Sequence, residues 1–249
     1  MKILKAIGIG VSAMFVAGIA VAMQDAKKIA AADAAEATPT ENVVTGRVTF
    51  EGDLPKVRPL TIGAEQAKGC CADDEEVSSR DLTLLIDEEG RGIANVVLTL
   101  SVDGGKAVVP EEPVEVGQTG CRFDNHVVVV PVGTTVSYTN ADAISHNIHT
   151  YAIKNEGINK TISSGRSSEQ KLEKAEKVKV TCDIHPWMVS YIVVTDATHW
   201  AVTDELGAFV IENVPAGTYS VALWHETLGK GKGKVTVNAD GSSELPEIK

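Results

Sequence analysis

The sequence predicts an all-β protein, and two observations carry this prediction. Short runs of alternating or β-branched apolar residues recur along the chain, and most of them end at turns rich in Gly, Asp or Asn. Sustained helical periodicity is scarce. With 249 residues, the chain is long enough for one large domain or two small domains, each able to bury a core.

The first strands of the chain are marked by their turns. Residues 44–50 alternate and then turn at Glu51-Gly52-Asp53, whereas residues 55–80 lack clear periodicity. Residues 82–86 form a predicted strand that ends at an acidic turn. A second, strongly apolar strand is predicted at residues 93–102.

The central part of the chain changes character. We predict strands at residues 123–131, 136–140, 148–153 and 178–182, because apolar and polar residues alternate there or follow turn residues. A buried, β-branched strand is predicted at residues 190–195. The mixed charges of residues 171–177 are typical of a solvated edge or loop.

The last part of the chain reads as a series of hairpins. Strands are predicted at residues 201–203, 208–211, 218–224 and 235–237, separated by turn residues. Between the last two strands, residues 230–234 alternate Lys and Gly, and we expect a flexible basic loop there.

The beginning of the chain is typical of an export signal. Basic residues precede an apolar run from residue 7 to residue 22, and the run ends in Ala20-Val21-Ala22, a small-x-small cleavage pattern. We expect residues 1–22 to be a signal peptide cut after Ala22, so that the protein is periplasmic or extracellular. The alternative is an uncleaved membrane anchor, and a membrane is involved only in that case. Residues 23–42 are rich in Ala and predict a linker.

The charge of the chain excludes one class of partner. The formal net charge is −11, and removal of Lys2 and Lys5 with the signal would make it −13. Nucleic acid phosphates require Lys and Arg, so we expect no nucleic-acid partner. An acidic surface would attract a basic protein partner, although it can also serve solubility alone.

The strongest chemical signal is the segment Cys182-Asp183-Ile184-His185-Pro186-Trp187-Met188, which brings a thiolate, an imidazole and a thioether together. His146, after the strand at 136–140, supplies a second imidazole. Soft sulfur ligands beside imidazole select copper, and two His with one Cys and a weak axial Met form a blue-copper electron-transfer site. We therefore predict one copper ion held by His146, Cys182, His185 and Met188. The alternative is a buried Cys beside a core Met and a structural His.

Residues 123–194 resemble a cupredoxin, and most of all amicyanin. The resemblance lies in Val130-Pro131-Val132-Gly133-Thr134-Thr135-Val136, Tyr138-Thr139-Asn140, His146-Asn147-Ile148-His149 and the loop from Cys182 to Met188, which matches Cys-x-x-His-Pro-x-Met. It implies a Greek-key β-sandwich with one type 1 copper that transfers single electrons. The whole chain also resembles exported, plastocyanin-like bacterial proteins.

The resemblance implies a role for each ligand. Cys182 would give the short copper–sulfur bond, His146 and His185 would complete the trigonal plane, and Met188 would be the long axial ligand. Asn147 would tie the two ligand segments together by hydrogen bonds.

Three neighbours of the ligands have expected roles of their own. Pro186 has no N–H and so removes one donor to the thiolate. Trp187 would lie near an exposed edge of His185, where an apolar patch suits docking of a redox partner. His149 should point away from the metal, because strand positions three apart face opposite sides. The remaining histidines are expected to be structural: His126, His199 and His225.

Three cysteines remain, and in an exported protein they suggest a disulfide. Cys121 is expected to pair with either Cys70 or Cys71, which would attach the irregular residues 55–80 to the start of the copper domain. A second metal site formed by these cysteines and His126 is the alternative.

The flanks of the copper segment resemble a carboxypeptidase regulatory-like (transthyretin-like) sandwich. Its first half is similar to Gly46-Arg47-Val48 and Ala94-Asn95-Val96-Val97-Leu98, and its second half to the segments that begin at Thr203 and Pro215. We therefore expect the cupredoxin, residues 106–197, to be inserted into a sandwich formed by residues 43–105 and 198–249. Two tandem domains are the alternative. Pairing of the strand at 93–102 with residues 208–211 or with residues 219–224 would support insertion.

These expectations lead to an exported copper protein that carries single electrons between redox partners, and not to an enzyme. Copper enzymes usually couple a blue site to further coppers through a His beside the Cys, whereas Thr181 and Asp183 flank Cys182. The main alternative is a cell-surface binding or structural module with a stabilising or vestigial copper. A copper chaperone or store would need an exposed, exchangeable site.

Overall fold

The computed structural model describes residues 4–7, 42–56, 58–70 and 77–244. These residues form one short helix, α1 (Ala64–Ala67), and otherwise strands, so the protein is all-β as predicted. The strands are β1 (Leu4–Ile7), β2 (Val44–Phe50), β3 (Val97–Leu100), β4 (Val114–Val116), β5 (Gln118–Thr119), β6 (Arg122–Phe123), β7 (Val127–Pro131), β8 (Thr134–Thr139), β9 (His146–Tyr151), β10 (Asn159–Ile162), β11 (Ser167–Leu172), β12 (Glu176–Thr181), β13 (Val189–Thr195), β14 (His199–Val202), β15 (Ala208–Ile211), β16 (Gly217–His225), β17 (Gly229–Val237) and β18 (Ser243–Glu244).

The beginning of the chain contributes only one described segment. β1 pairs antiparallel with β2, so that Leu4 lies opposite Phe50. The rest of the predicted signal segment and nearly all of the predicted linker lie outside the described residues. Within the described ranges, no helix has the length and apolar character needed to cross a membrane. Cleavage after Ala22 and export stay predictions.

One pair of sheets, here named the outer sandwich, is built from the two flanks of the chain. The sheet β1-β2-β15 packs against the sheet β14-β3-β16-β17-β18. Apolar residues on the facing sides of these strands, such as Val48, Phe209, Leu98 and Val235, are buried in one core. The alternation predicted for these strands therefore places every second side chain in that core.

A second pair of sheets, here named the central sandwich, comes from the middle of the chain. The sheet β10-β9-β12-β13-β7 packs against the sheet β11-β8-β4. Strands β13 and β7 run parallel, as do β4 and β8, because the connections between them cross from one sheet to the other. Ile148, Val180 and Ile192 of the first sheet meet Val136 and Leu172 of the second in a separate core.

Strand pairing joins the two flanks of the chain within the outer sandwich, and side-chain packing joins the two sandwiches. In the outer sandwich, β3 lies between β14 and β16, with Leu98 opposite both Ala201 and Leu223. The strand before the central segment is thus hydrogen-bonded to strands after it, which is the pairing that insertion requires. Between the sandwiches, Tyr191 and Trp224 pack edge to face with their ring centroids 5.4 Å apart. The domain boundaries themselves stay a prediction.

Two of the local predictions were wrong. Residues 82–86 do not form a strand: the Asp81 carboxylate accepts from the backbone N–H of Thr83 at 2.9 Å, and only Ile86 bridges a neighbour, Ile93. Such a local side-chain turn competes with strand pairing. The predicted strand at 93–102 is shorter, because Asn95 adopts a left-handed φ of 61° before Val97.

The second wrong prediction concerns the Lys-Gly alternation. Residues 230–234 form part of β17 and pair with β16, so that Lys230 lies opposite Trp224 and Lys234 opposite Ser220. The three lysines are exposed on one face, because successive strand residues point to opposite sides. The alternating charge that suggested a loop is therefore the solvated face of a strand.

Candidate metal centre

The predicted ligands come together at one end of the central sandwich. β9 and β12 pair antiparallel, with Thr181 opposite His149, so the end of β12 lies beside the start of β9. His146 is the first residue of β9, and Cys182 directly follows β12. Both side chains are buried.

The loop from Cys182 to Met188 is closed by its own backbone. The N–H of Met188 donates to the carbonyl of His185 at 2.9 Å, and the N–H of Cys182 donates to the carbonyl of Met188 at 3.2 Å. These bonds turn His185 and Met188 inward, where both are buried, and leave Pro186 exposed. The turn returns the chain directly into β13, whose first residue is Val189.

The three predicted nitrogen and thiolate donors meet. Nδ1 of His146 lies 2.9 Å from Nδ1 of His185, and Sγ of Cys182 lies 3.7 Å from that same nitrogen. All three ligand atoms are within 4.8 Å of one another. Met188 packs in the same core as Cys182, and its axial role stays a prediction. One thiolate and two imidazole nitrogens are a soft donor set that fits copper.

Asn147 links the two segments that carry the ligands. Its backbone N–H donates to Sγ of Cys182 at 3.3 Å, and its side-chain oxygen accepts from the N–H of Asp183 at 2.7 Å. The side-chain nitrogen of Asn147 bonds to Asn159. The structure thus places Asn147 where the resemblance implied, as a tie between the strand and the ligand loop.

Asp142 is a functional residue that the sequence reasoning missed. Its carboxylate accepts from Nε2 of His146 at 2.7 Å, and also from the backbone N–H groups of Gly120 at 2.6 Å and Cys121 at 2.8 Å. The bond to Nε2 fixes the proton there and leaves Nδ1 of His146 free for a metal. The only sequence signal is an Asn140-x-Asp142 turn four residues before the histidine, in which Asn140 accepts from the N–H of Asp142.

The surroundings of the donors shift their pKa values, and the shift at Cys182 favours metal binding by its thiolate. Burial alone would raise the pKa of Cys182, but hydrogen bonds from His146 and from backbone N–H groups lower it. Thiolate is the form that binds metals. Burial and the charge of His146 lower the pKa of His185, a shift that favours the neutral form of the ring. Burial also opposes a charge on His146, yet hydrogen bonds and charges of Cys182 and Asp142 raise its pKa.

A disulfide covers the far side of His185. Cys121 pairs with Cys70, which settles the alternative left open by the sequence, while Cys71 lies outside the described residues. Both sulfur atoms of the disulfide lie 3.9 Å from Nε2 of His185. As a result His185 is only 2% exposed.

The expectation of an exposed edge on His185 was therefore wrong. Trp187 does lie beside that ring, with the centroids 5.3 Å apart, and is half-buried. Its Nε1–H donates to the carbonyl of Cys121 at 2.9 Å, so it packs over the disulfide turn. Trp187 is the aromatic side chain of the ligand loop that solvent reaches.

The other histidines have partners of their own. His149 contacts the carboxylate of Asp183 at 3.0 Å and stacks on Tyr151. His126 pairs with Glu226, and Nδ1 of His225 accepts from the N–H of Thr227. His199 lies 3.1 Å from the carbonyl of Asn213. In the described ranges, none of these four histidines joins a cluster of potential metal ligands.

For the last part of the chain, the sequence motifs suggested one protein family, but comparison with family models finds another. Residues 183–245 match the model of polysaccharide lyase family 4, domain II. The carboxypeptidase regulatory-like family is not supported by this match. No curated protein matches the chain.

Solved structures similar to this chain include three kinds of copper protein. A P52G mutant of amicyanin in its reduced Cu(I) form at pH 4 is 21% identical, with a TM-score of 0.32, over 39% of this chain and 98% of amicyanin. A purple cupredoxin from Nitrosopumilus maritimus is 25% identical, with a TM-score of 0.29, over 34% of this chain and all of that protein. The Cu-containing nitrite reductase of Thermus scotoductus SA-01 is 27% identical, with a TM-score of 0.32, over 39% of this chain and 25% of the reductase.

Proposed function

We propose that the protein is an exported type 1 copper protein that carries single electrons between redox partners. The observation that supports this best is the meeting of three donor atoms, Nδ1 of His146, Sγ of Cys182 and Nδ1 of His185, in a buried pocket. The carboxylate of Asp142 binds Nε2 of His146, which leaves Nδ1 of that ring free. Thiolate and imidazole together favour copper over harder ions.

The chain's own residues would hold the metal rather than react with it. Copper, when bound, supplies the one-electron change between its two oxidation states. His146, Cys182 and His185 would bind it, with Met188 as a weaker fourth ligand. Asp142 fixes the ring of His146 and Asn147 fixes the ligand loop by hydrogen bonds, so these donors keep their positions. We propose no catalytic role, because Cys182 has no neighbouring His in sequence.

The first test is the visible absorption spectrum of the full chain after addition of Cu(II). We expect an intense thiolate-to-copper band that disappears on reduction with ascorbate, with one copper bound per chain. The variant Cys182→Ser should lose the band. The matched control His149→Asn should keep it, because His149 contacts Asp183 outside the donor cluster. A colourless copper-loaded protein, or a band that survives in Cys182→Ser, contradicts the proposal.

We also propose that the redox partner is basic and docks at Trp187. The net charge of −11 would attract a basic surface, and Trp187 is the part-exposed ring in contact with His185. Electron transfer should then slow as salt is added, because salt screens charges across the encounter. A rate independent of salt would exclude a charge-steered partner.

A second candidate is a binding or structural module at the cell surface, with copper stabilising or vestigial. The match of residues 183–245 to a lyase domain supports this reading, because most of these residues belong to the outer sandwich. Binding to a panel of polysaccharides, unchanged in Cys182→Ser, would favour it. Absence of any binding would leave the outer sandwich as a scaffold.

A further inference from the structure

The disulfide and His185 form a second cluster of metal donors beside the predicted copper ligands. Sγ of Cys70, Sγ of Cys121 and Nε2 of His185 lie within 4.8 Å of one another. We propose that these three residues form a separate site for a soft d¹⁰ cation, Zn²⁺ or Cu⁺, once the disulfide is reduced. The thiolates and the imidazole are the donors that such ions prefer.

The positions of the donors already suit a tetrahedral ion. Zinc lies about 2.3 Å from sulfur and about 2.0 Å from nitrogen, which puts nitrogen and sulfur about 3.6 Å apart. In the oxidised protein both sulfur atoms lie 3.9 Å from Nε2 of His185. After their bond is cleaved, the two sulfur atoms must move apart, and we expect rotation of Cys70 and Cys121 about Cα–Cβ to allow this.

The backbone around these cysteines is held by bonds that do not depend on the disulfide. The N–H of Cys121 donates to Asp142 at 2.8 Å, and its carbonyl accepts from Trp187 at 2.9 Å. The N–H of Cys70 donates to the carbonyl of Ala67 at 3.0 Å. The donors should therefore stay close to His185 after reduction.

The buried position of the donors requires that the bound cation compensate the charge of the two thiolates. Cys70, Cys121 and His185 are all nearly inaccessible to solvent. Charged groups are costly in such surroundings unless an opposite charge compensates them. A bound Zn²⁺ or Cu⁺ supplies that charge.

The reaction balances with a dithiol as reductant. The dithiol passes two electrons and two protons to the sulfur atoms of Cys70 and Cys121, and it closes to its own disulfide. The metal then binds both sulfur atoms and displaces their two protons. A phosphine can replace the dithiol in the laboratory, and it leaves no competing thiol.

The proposed site is distinct from the predicted copper site. Nδ1 of His185 faces His146 and Cys182, whereas Nε2 faces the disulfide. The two ions would thus lie on opposite edges of one imidazole ring. An ion on Nε2 would replace the ring proton and make His185 a stronger donor to copper, which should shift the visible band of a copper-loaded protein.

Zinc titration of the Cys182→Ser chain tests the site in the absence of the thiolate of the predicted copper site. After reduction with a phosphine and removal of the reductant, we expect about one bound zinc per chain, held by three protein ligands with its fourth position open. The oxidised protein should bind less than about a tenth as much. Adding Cys121→Ser should abolish binding, and His185→Asn should weaken it at least tenfold.

Circular dichroism shows whether each protein remains folded during the titration. A folded, reduced chain that takes up no zinc overturns the proposal and leaves the disulfide with a structural role alone. Zinc uptake that persists after Cys121→Ser overturns it as well, and so does a reduced chain that stays unfolded even with zinc. The tested chain lacks Cys182. These outcomes therefore do not depend on whether the blue-copper proposal is correct.

Discussion

Asp142 holds His146 by a bond of 2.7 Å from Nε2 to its carboxylate, on the side of the ring opposite the other donors. The same carboxylate accepts from the N–H of Cys121, so one buried side chain joins a predicted copper ligand to the disulfide turn. Loss of such a partner typically lowers metal affinity by about 10–100-fold. We expect Asp142→Asn to lower copper affinity within that range, as measured by competition with a chelator.

Asp183→Asn is the matched control for this variant. Asp183 also contacts a histidine, His149, but its carboxylate is exposed and is not one of the clustered donors. Its copper affinity should stay within a factor of about two of the parent, because exposed ion pairs contribute little. Equal losses in the two variants would contradict a specific role for Asp142.

Trp187 should control electron transfer rather than the metal site. We expect Trp187→Leu to keep the copper band but to slow reduction by a protein partner, because the part-exposed ring beside His185 is lost. Stopped-flow reduction by a basic redox protein measures the effect, and a small inorganic reductant serves as the control. If the rate with the protein partner is unchanged, docking lies elsewhere.

Gly207 should be intolerant of any side chain. Its φ is +76°, and an added Cβ would lie 2.4 Å from the carbonyl oxygen of Val48. Backbone strain and steric overlap together should cost about 2–4 kcal/mol in Gly207→Ala. Gly104→Ala is the control, since φ is +73° there and nothing lies within 4 Å of the added Cβ. Gly104→Ala should lower the free energy of unfolding, measured in urea, by about 1 kcal/mol. Similar losses in the two variants would contradict the predicted steric overlap at Gly207.

His225 should make stability fall in mild acid. Burial lowers the pKa of His225 to about 4, with Glu226 opposing and His126 adding to the shift. The unfolded chain takes up this proton near pH 6.5 and the folded protein only near pH 4. Stability from this group is therefore complete above pH 6.5 and is lost as the pH falls towards 4, by as much as about 3 kcal/mol.

His225→Asn tests this pH dependence. Nδ1 of His225 accepts a hydrogen bond from the N–H of Thr227 at 3.2 Å. The side-chain oxygen of Asn can accept the same hydrogen bond, but Asn does not titrate. Histidine titrates in the range from about pH 7 to about pH 4. Over this range, the free energy of unfolding of this variant should change less than that of the parent. Parallel curves for the two proteins would show that His225 is not the group responsible.

The donor cluster was predictable in large part because its residues are close in sequence. Cys182 and His185 share one loop, whereas His146 was expected on the turn after the strand at 136–140 and is in fact the first residue of β9. The burial of His185 was not predictable, since Cys70 lies 115 residues away and in a segment without periodicity. Only the packed structure brings that sulfur to the ring.

The wrong local predictions have a common physical cause. Residues 230–234 looked like a loop because Lys and Gly are poor strand formers, yet pairing with β16 fixes them as a strand. Residues 82–86 looked like a strand, but the Asp81 turn satisfies their backbone locally. In both places tertiary or side-chain hydrogen bonds outweigh intrinsic preference.

Leu100 and His199 lie opposite each other in neighbouring strands of the outer sandwich. The chain thus leaves that sheet and re-enters it at points one strand spacing apart, about 5 Å. A short turn can bridge such a gap. If two or three turn residues replaced the intervening segment, we expect the two strands to form a continuous β-hairpin. We therefore expect that the intervening segment can be exchanged without a change in the register of that sheet.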